Sequence, residues 1–179
     1  LEIKDGIKAI DMNRFVEQNY NNRQDKTLEY GESKSKLYSS IGMYQESIIE
    51  RKKERTWPKN LPMFVDVSLY NDIGHFYNKL NQFDSAIHCF VLAKNALKRI
   101  PITAQTEKTI KFYYGLIGGN LAYSKFYNGN YAEAIPLLEA DVAASTIAKE
   151  YRSAYNANLM LIKVYLKLKK PQTVKKYLD

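Results

Sequence analysis

Four short segments of this chain can be laid over one another, and that restricts the fold more than any other feature. They are YSSIGMYQES (Tyr38 to Ser47), YNKLNQFDSA (Tyr77 to Ala86), KFYNGNYAEA (Lys125 to Ala134) and YLKLKKPQTV (Tyr165 to Val174). Three open with tyrosine. Three carry an aromatic residue (Tyr44, Phe83, Tyr131) three positions before the end, and three finish on a small one (Ser47, Ala86, Ala134). Their last residues lie 39, 48 and 40 positions apart. Self-similarity at such a period marks stacked supersecondary units, each unable to bury its apolar face alone.

The flanks of each segment carry the helical period. Before the second turn, Tyr70, Ile73, Gly74, Tyr77 and Leu80 recur at spacings of one to four. After it, Phe83, Ala86, Ile87, Phe90 and Leu97 form a second apolar stripe. Strand-like alternation is almost absent. Gly129 marks a turn, and Asn130 with Glu133 can form a capping box. Pro171 suits the first turn of a helix, where its missing N–H costs nothing. Pro101 closes the helix that precedes it, and Pro136 is expected to loosen or kink the helix that contains it. The unit is thus a helix, a short turn and an antiparallel helix. Helix pairs are expected near 27–39 and 43–55, 63–80 and 83–99, 104–128 and 131–148, and 150–168 and 171–178. Residues 1–26 form a separate segment, with a helix near 7–19 and the polar linker Asn19 to Lys26. A second connector, Thr56 to Pro62, separates the first two pairs.

The 179 residues suffice for a hydrophobic core without metals or crosslinks, and 45% are apolar. The 15 tyrosines are an excess that packing or binding must explain. A single cysteine, Cys89, excludes an internal disulfide. No stretch approaches the roughly 20 apolar residues of a membrane span. The net charge of +8 gathers in ERKKER (Glu50 to Arg55) and in the last stretch, at Lys163, Lys167, Lys169, Lys170, Lys175 and Lys176. A basic surface can attract nucleic acid, but no nucleic-acid motif accompanies the lysines, and solvated helix faces account for them.

With these residues in place, the second unit resembles the tetratricopeptide repeat. It reads Tyr70-x-x-Ile73-Gly74-x-x-Tyr77, then Ala86-x-x-x-Phe90, then Ala93. The third unit matches through Ala122, Tyr131, Ala134 and Leu138, and the fourth through Leu161, Ile162, Tyr165, Val174 and Leu178. The first is weakest: Gly42 and Tyr44 fit, while Lys34 and Ser35 stand at the apolar and small positions. The resemblance implies an all-α fold over residues 27–179, a right-handed α-α superhelix of about four helical hairpins. Periods longer than the usual repeat imply longer helices or connectors. The chain stops at Asp179 inside an expected helix and begins at Leu1 rather than methionine, as an excised piece of a longer protein would.

In this family the first helix of each pair lines a concave groove that binds peptides or protein segments. Carried over by position, the groove residues are Asn71, His75, Asn78 and Lys79 in unit two, and Gly119, Tyr123, Phe126 and Tyr127 in unit three. Unit four offers Leu159, Lys163, Leu166 and Lys167, and unit one Glu32, Lys36 and Ser39. Asn71 and Asn78 could bond an extended peptide backbone. The three aromatics could equally pack between hairpins. The lysine–asparagine clamp by which co-chaperone repeats hold a terminal carboxylate is missing, since Asn71/His75 and Glu32/Lys36 occupy its positions.

Catalytic chemistry finds no constellation. His75 and His88 lie on different helices, and adjacent residues such as His88 and Cys89 point about 100° apart on a helix, so neither a metal nor a cofactor is expected. GLIGGN (Gly115 to Asn120) lacks the phosphate-loop lysine; its glycines are expected to permit close helix approach. The reading is a non-catalytic protein- or peptide-binding module. The idiom LYNDIGHFYNKLNQFDSAI resembles the repeat-containing sensor regions of bacterial histidine kinases and transcriptional regulators. That likeness implies a cytoplasmic or periplasmic setting in a bacterium and leaves homodimerisation open. A scaffold that oligomerises through its solenoid faces is the rival; an RNA-binding helical repeat ranks below both.

Overall fold

The computed structural model describes residues 7, 8, 11, 28–53, 63–147, 149 and 151–177; the expected N-terminal helix and both polar linkers lie largely or wholly outside this set. Eight α-helices follow among the described residues: α1 (Leu28–Ser40), α2 (Tyr44–Lys53), α3 (Val65–Lys79), α4 (Phe83–Lys98), α5 (Glu107–Tyr127), α6 (Tyr131–Ile147), α7 (Tyr151–Lys167) and α8 (Pro171–Val174). A single 3₁₀ turn, Lys175–Tyr177, ends them. They pair as four hairpins, and each hairpin packs mainly on its neighbours in sequence. This is an α-α superhelix of tetratricopeptide type.

One turn is built four times. Gly42, Asn81, Gly129 and Lys169 all adopt positive φ, at 82°, 57°, 82° and 55°. They stand 39, 48 and 40 residues apart, the same spacings as the aligned segments. In each turn the N–H that follows this residue donates to a carbonyl five positions back: Met43 to Tyr38, Gln82 to Tyr77, Asn130 to Lys125 and Lys170 to Tyr165, at 2.8–2.9 Å. The N–H of the positive-φ residue itself reaches the carbonyl three back, at Ser39, Asn78, Phe126 and Leu166. These paired bonds are a Schellman cap, which satisfies the last carbonyls of one helix and reverses the chain into the next.

The turn sets small residues opposite one another. Ser35 and Ser47, Gly74 and Ala86, and Ala122 and Ala134 are all buried, each pair twelve positions apart. In the first hairpin the Ser35 hydroxyl donates to the Ser47 carbonyl at 3.0 Å. Buried Lys34 lies 3.5 Å from Glu50. Serine thus does the small residue's work there, and the lysine carries its charge inside with a partner. In the second hairpin a Cβ on Gly74 would stand 2.7 Å from Cε1 of the fully buried Phe90. Val174 and half-buried Ile162 hold the equivalent places in the fourth.

Three apolar clusters follow along the stack. Ile48, Leu69, Ile73, Phe76 and Cys89 join the first two hairpins. Ala93, Leu97, Ile110, Ile117 and Leu121 are among those joining the second and third. Leu138, Ala157, Leu161 and Val164 join the third and fourth. Full burial of one such side chain stabilises by about 1.5–3 kcal/mol. Ring pairs supplement them: Tyr44 with Phe76, Phe64 with Tyr113 and Tyr165 with Tyr177, at centroid separations of 5.6–6.4 Å. Four of the 15 tyrosines are spent in this way. Arg51, buried on α2, reaches Asp72 Oδ2 through Nε at 3.1 Å and Nη2 at 2.6 Å, tying the first hairpin to the second.

Two local features refine the reading. α6 runs unbroken through Pro136. The proline and Ala132, whose carbonyl loses its helical donor, are both exposed, so water can satisfy the freed oxygen. Glu133 pairs with Lys125 across the turn rather than capping α6. Lys125 stands where the other hairpins have tyrosine, so an ion pair replaces a ring there.

The left-handed turn residues are testable because only two are glycine. Lys169→Gly is expected to gain about 0.5–1 kcal/mol, the strain of a side chain at positive φ less glycine's larger unfolded-state entropy. Gly129→Ala is expected to lose about 1 kcal/mol for the same reason. Urea denaturation of each variant reads both.

Helix-interior glycines divide by environment. Gly115 and Gly118 of α5 have open space where a Cβ would sit, unlike Gly74. Gly115→Ala is expected to stabilise by about 0.5–1 kcal/mol through helix propensity. Gly74→Ala is expected to lose about 1 kcal/mol, because overpacking against Phe90 exceeds the same propensity gain. Opposite shifts of the denaturation midpoint are the signature.

Candidate functional site

The positions expected to line a groove divide into two groups. Asn71, Asn78 and Phe126 are buried, at 6, 7 and 8% exposure, whereas Tyr123 and Tyr127 are 38 and 48% exposed. His75, Lys79, Lys163 and Lys167 are exposed as well. In the first unit Lys36 is exposed and Ser39 half-buried. Glu32 has no described side chain.

The two asparagines are occupied. Asn120 Nδ2 on α5 donates to Asn71 Oδ1 at 3.1 Å, and the Ser124 hydroxyl donates to Asn78 Oδ1 at 2.8 Å. The oxygens expected to meet a peptide backbone are therefore already committed to the next hairpin. An amide inside a helix interface must find a partner, since leaving it unpaired costs about 1–3 kcal/mol. Phe126 likewise packs between hairpins and meets Tyr131 edge-on at 5.5 Å. Sequence reasoning missed Asn120 and Ser124. Their places on α5, facing α3, could have been found only by aligning polar residues between successive units.

What remains open is mainly on α5 and α7. Tyr123 and Tyr127 lie one turn apart with ring centroids at 4.5 Å. Tyr127 also stacks on Phe83 of the preceding hairpin at 5.5 Å and 20°. The packed surroundings and the neighbouring Tyr127 hydroxyl raise the Tyr123 pKa, so it stays protonated and able to donate. Leu116, two turns before Tyr123, is exposed, and Gly119 between them carries no side chain. A Cβ there would lie 3.4 Å from Asp141 Oδ2 of α6. On α7, Leu159 and Leu166 are 37 and 55% exposed and alternate with Lys163 and Lys167. The face is therefore apolar in strips and basic at intervals.

The expectation that the α5 glycines serve close helix approach is corrected at Gly115 and Gly118, which have no neighbour within 4 Å of a built Cβ. His75 has a lowered pKa, from desolvation first and Lys79 second, opposed by Asp72. It is neutral at pH 7. Cys89 is buried and its thiol is pushed up to about 11, so it is protonated and a poor nucleophile. His88, its neighbour, is exposed. Among the described residues no three His, Cys, Asp or Glu side chains are grouped to hold a metal, and no helix is long and apolar enough to cross a membrane.

No protein-family model matches the sequence, and no curated protein matches it. Solved structures do. Two crystal structures of a candidate kinesin light chain of Podosopora anserina, with nearly identical TPR-like repeats, superpose with TM-scores of 0.68. They are 15 and 17% identical in sequence, and the match covers 97% of this chain and 83% of each of theirs. At that identity the likeness is one of fold.

The Asn78–Ser124 bond separates a packing role from a binding one. Ser124→Ala leaves a buried amide oxygen without its donor and is expected to cost about 1–3 kcal/mol. Adding Asn78→Leu is expected to recover part of that loss. A double-mutant cycle by urea denaturation measures the coupling.

Proposed function

We propose that this chain is a non-catalytic protein- or peptide-binding module whose concave face, lined by α3, α5 and α7, takes an extended segment. The observation that carries the reading is the division just described. The first helices of the last two hairpins keep two pairs exposed, Leu116 with Tyr123 and Leu159 with Leu166, each pair seven residues apart and so on one face of its helix; Phe112, Tyr114, Tyr127, Tyr151 and Tyr155 on the same helices are exposed as well. Exposed apolar side chains in register on neighbouring helices favour a partner. Tyrosines offer large contact area with few rotors to freeze. The stacked hairpins form a prepared scaffold, which lowers the ordering cost of binding. The sequence idiom of unit two supports a place as the sensory or regulatory region of a larger bacterial signalling protein. There the partner's binding would bias the curvature of the solenoid.

A second reading has its own observation. Ile147 and Tyr151, at the α6–α7 connection, are among the most exposed apolar residues described. They favour a scaffold that self-associates through this end. Ile147→Ser with Tyr151→Ser would then lower the solution mass and leave peptide binding intact.

The groove reading is tested by selecting a random twelve-residue display library on the full chain. Selected peptides are expected to lose at least tenfold in affinity for a Leu116→Ser, Tyr123→Ala, Leu159→Ser variant whose melting is unchanged. Peptides that bind this variant as tightly as the parent would end the groove reading.

A further inference from the structure

Charge is distributed unevenly along the stack. The last hairpin, residues 151–177, contains no aspartate or glutamate. It carries Arg152, Lys163 and Lys167 on α7. Lys169, Lys170, Lys175 and Lys176 follow in the turn and beyond. These seven cations make up nearly all of the net charge of +8. The other three hairpins intersperse both signs, and several of their cations are paired, as in Lys34–Glu50, Arg51–Asp72, Lys111–Glu107 and Lys125–Glu133.

The groove face of α7 combines this charge with apolar surface. Leu159, Lys163, Leu166 and Lys167 follow at spacings of four, three and one, which places them on one side of the helix. All four are exposed. On the same concave side α3 supplies Lys79, also exposed, and His75, held neutral at pH 7. Asp141 is the carboxylate behind Gly119. Its Oδ1 accepts from Ser145 at 3.0 Å, so it already has a protein donor.

Resting on the groove reading above, we propose that the occupant is an acidic protein segment with apolar anchors, seated on α5 and α7 with its carboxylates toward Lys163 and Lys167. Three features favour a peptide over a nucleic acid. Aliphatic Leu159 and Leu166 are the residues interleaved with the lysines, while the exposed rings of α7, Tyr151 and Tyr155, lie at its N-terminal end away from Lys163 and Lys167, where base stacking would need them. The tyrosines Tyr123 and Tyr127 are stacked on each other and on Phe83 rather than spaced to receive successive bases. Lysine rather than arginine supplies the charge on this face, and lysine acts as a point charge toward carboxylates. A hairpin without carboxylates repels a basic segment and steers an acidic one, and this speeds encounter and suppresses wrong partners.

The test uses the library-selected peptides on the full chain, at 50 and 300 mM salt, with a 20-residue polyuridylate as a second probe. The selected sequences are expected to be enriched in aspartate and glutamate beside leucine or aromatic residues. Lys163→Glu with Lys167→Glu is expected to weaken them at least tenfold, and to select neutral or basic peptides in a fresh round. Neutral or basic peptides selected by the parent chain, and lost in the Leu116/Tyr123/Leu159 variant, would overturn the acidic assignment while the groove reading stands. Acidic peptides that bind the groove variant normally would overturn both. Polyuridylate that competes with the peptides and binds more tightly would replace the proposal with a nucleic-acid site. Failure of any peptide to be selected would remove the proposal together with the groove.

Discussion

The fold depends on one backbone device, a helix end closed by a residue in the left-handed region. The device fixes how many residues separate facing positions on the two helices of a hairpin. With that offset held at twelve, Ser35 meets Ser47, Gly74 lies opposite Ala86, and Ala122 lies opposite Ala134. Small residues at these places let the helices approach, and larger ones such as Phe90 then fill the flanks. Close packing of this kind is intolerant of small changes in volume. The two non-glycine turns show that the hydrogen-bond pattern, rather than glycine itself, is the constraint. Asn81 and Lys169 adopt it with side chains in place.

Stacking the hairpins requires a second set of contacts, and these are more varied than the turns. Between the first two hairpins a buried arginine meets Asp72. Between the second and third, two amide or hydroxyl bonds cross from α3 to α5, and Asn128 Nδ2 donates to Asp84 Oδ1 at 2.8 Å. Between the third and fourth, the contact is largely apolar, with a Tyr177 hydroxyl donating to Glu139 at 2.8 Å. Polar contacts at buried interfaces demand specific geometry, because an unpaired group is costly. They fix how one hairpin sits on the next and so shape the concave face. Asn71 and Asn78 belong to this set, and the exposed face is left to residues with no such obligation.

Much of the fold was legible in the sequence because its signals are local. The spacing of the aligned segments equals the spacing of the left-handed residues, since both report the same turn. Helical periodicity follows from the need to bury one stripe. The first unit looked irregular because Ser35 and Lys34 break a pattern written in apolar letters. Physically, serine is small enough for the crossing, and Lys34 finds Glu50. What the sequence left open was of another kind. Pro136 sits on the solvent side of α6, where a missing N–H costs little. Gly115 and Gly118 face open space rather than a neighbouring helix. Neither exposure can be deduced from the residues themselves.

By itself the sequence determined the repeat and the pairing of helices, because periodicity and turn chemistry act over a few residues. Only the tertiary structure decided which of the residues expected to line a groove are open. At the 48-residue offset between these units, buried Asn78 of α3 corresponds to buried Phe126 of α5, and exposed His75 to exposed Tyr123. Whether such a side chain is buried depends on what the next hairpin presents to it. Asn120 and Ser124 cover the asparagines, while nothing among the described residues covers Tyr123 to the same degree. That difference arises between residues some 46 to 49 positions apart, beyond the reach of any local pattern.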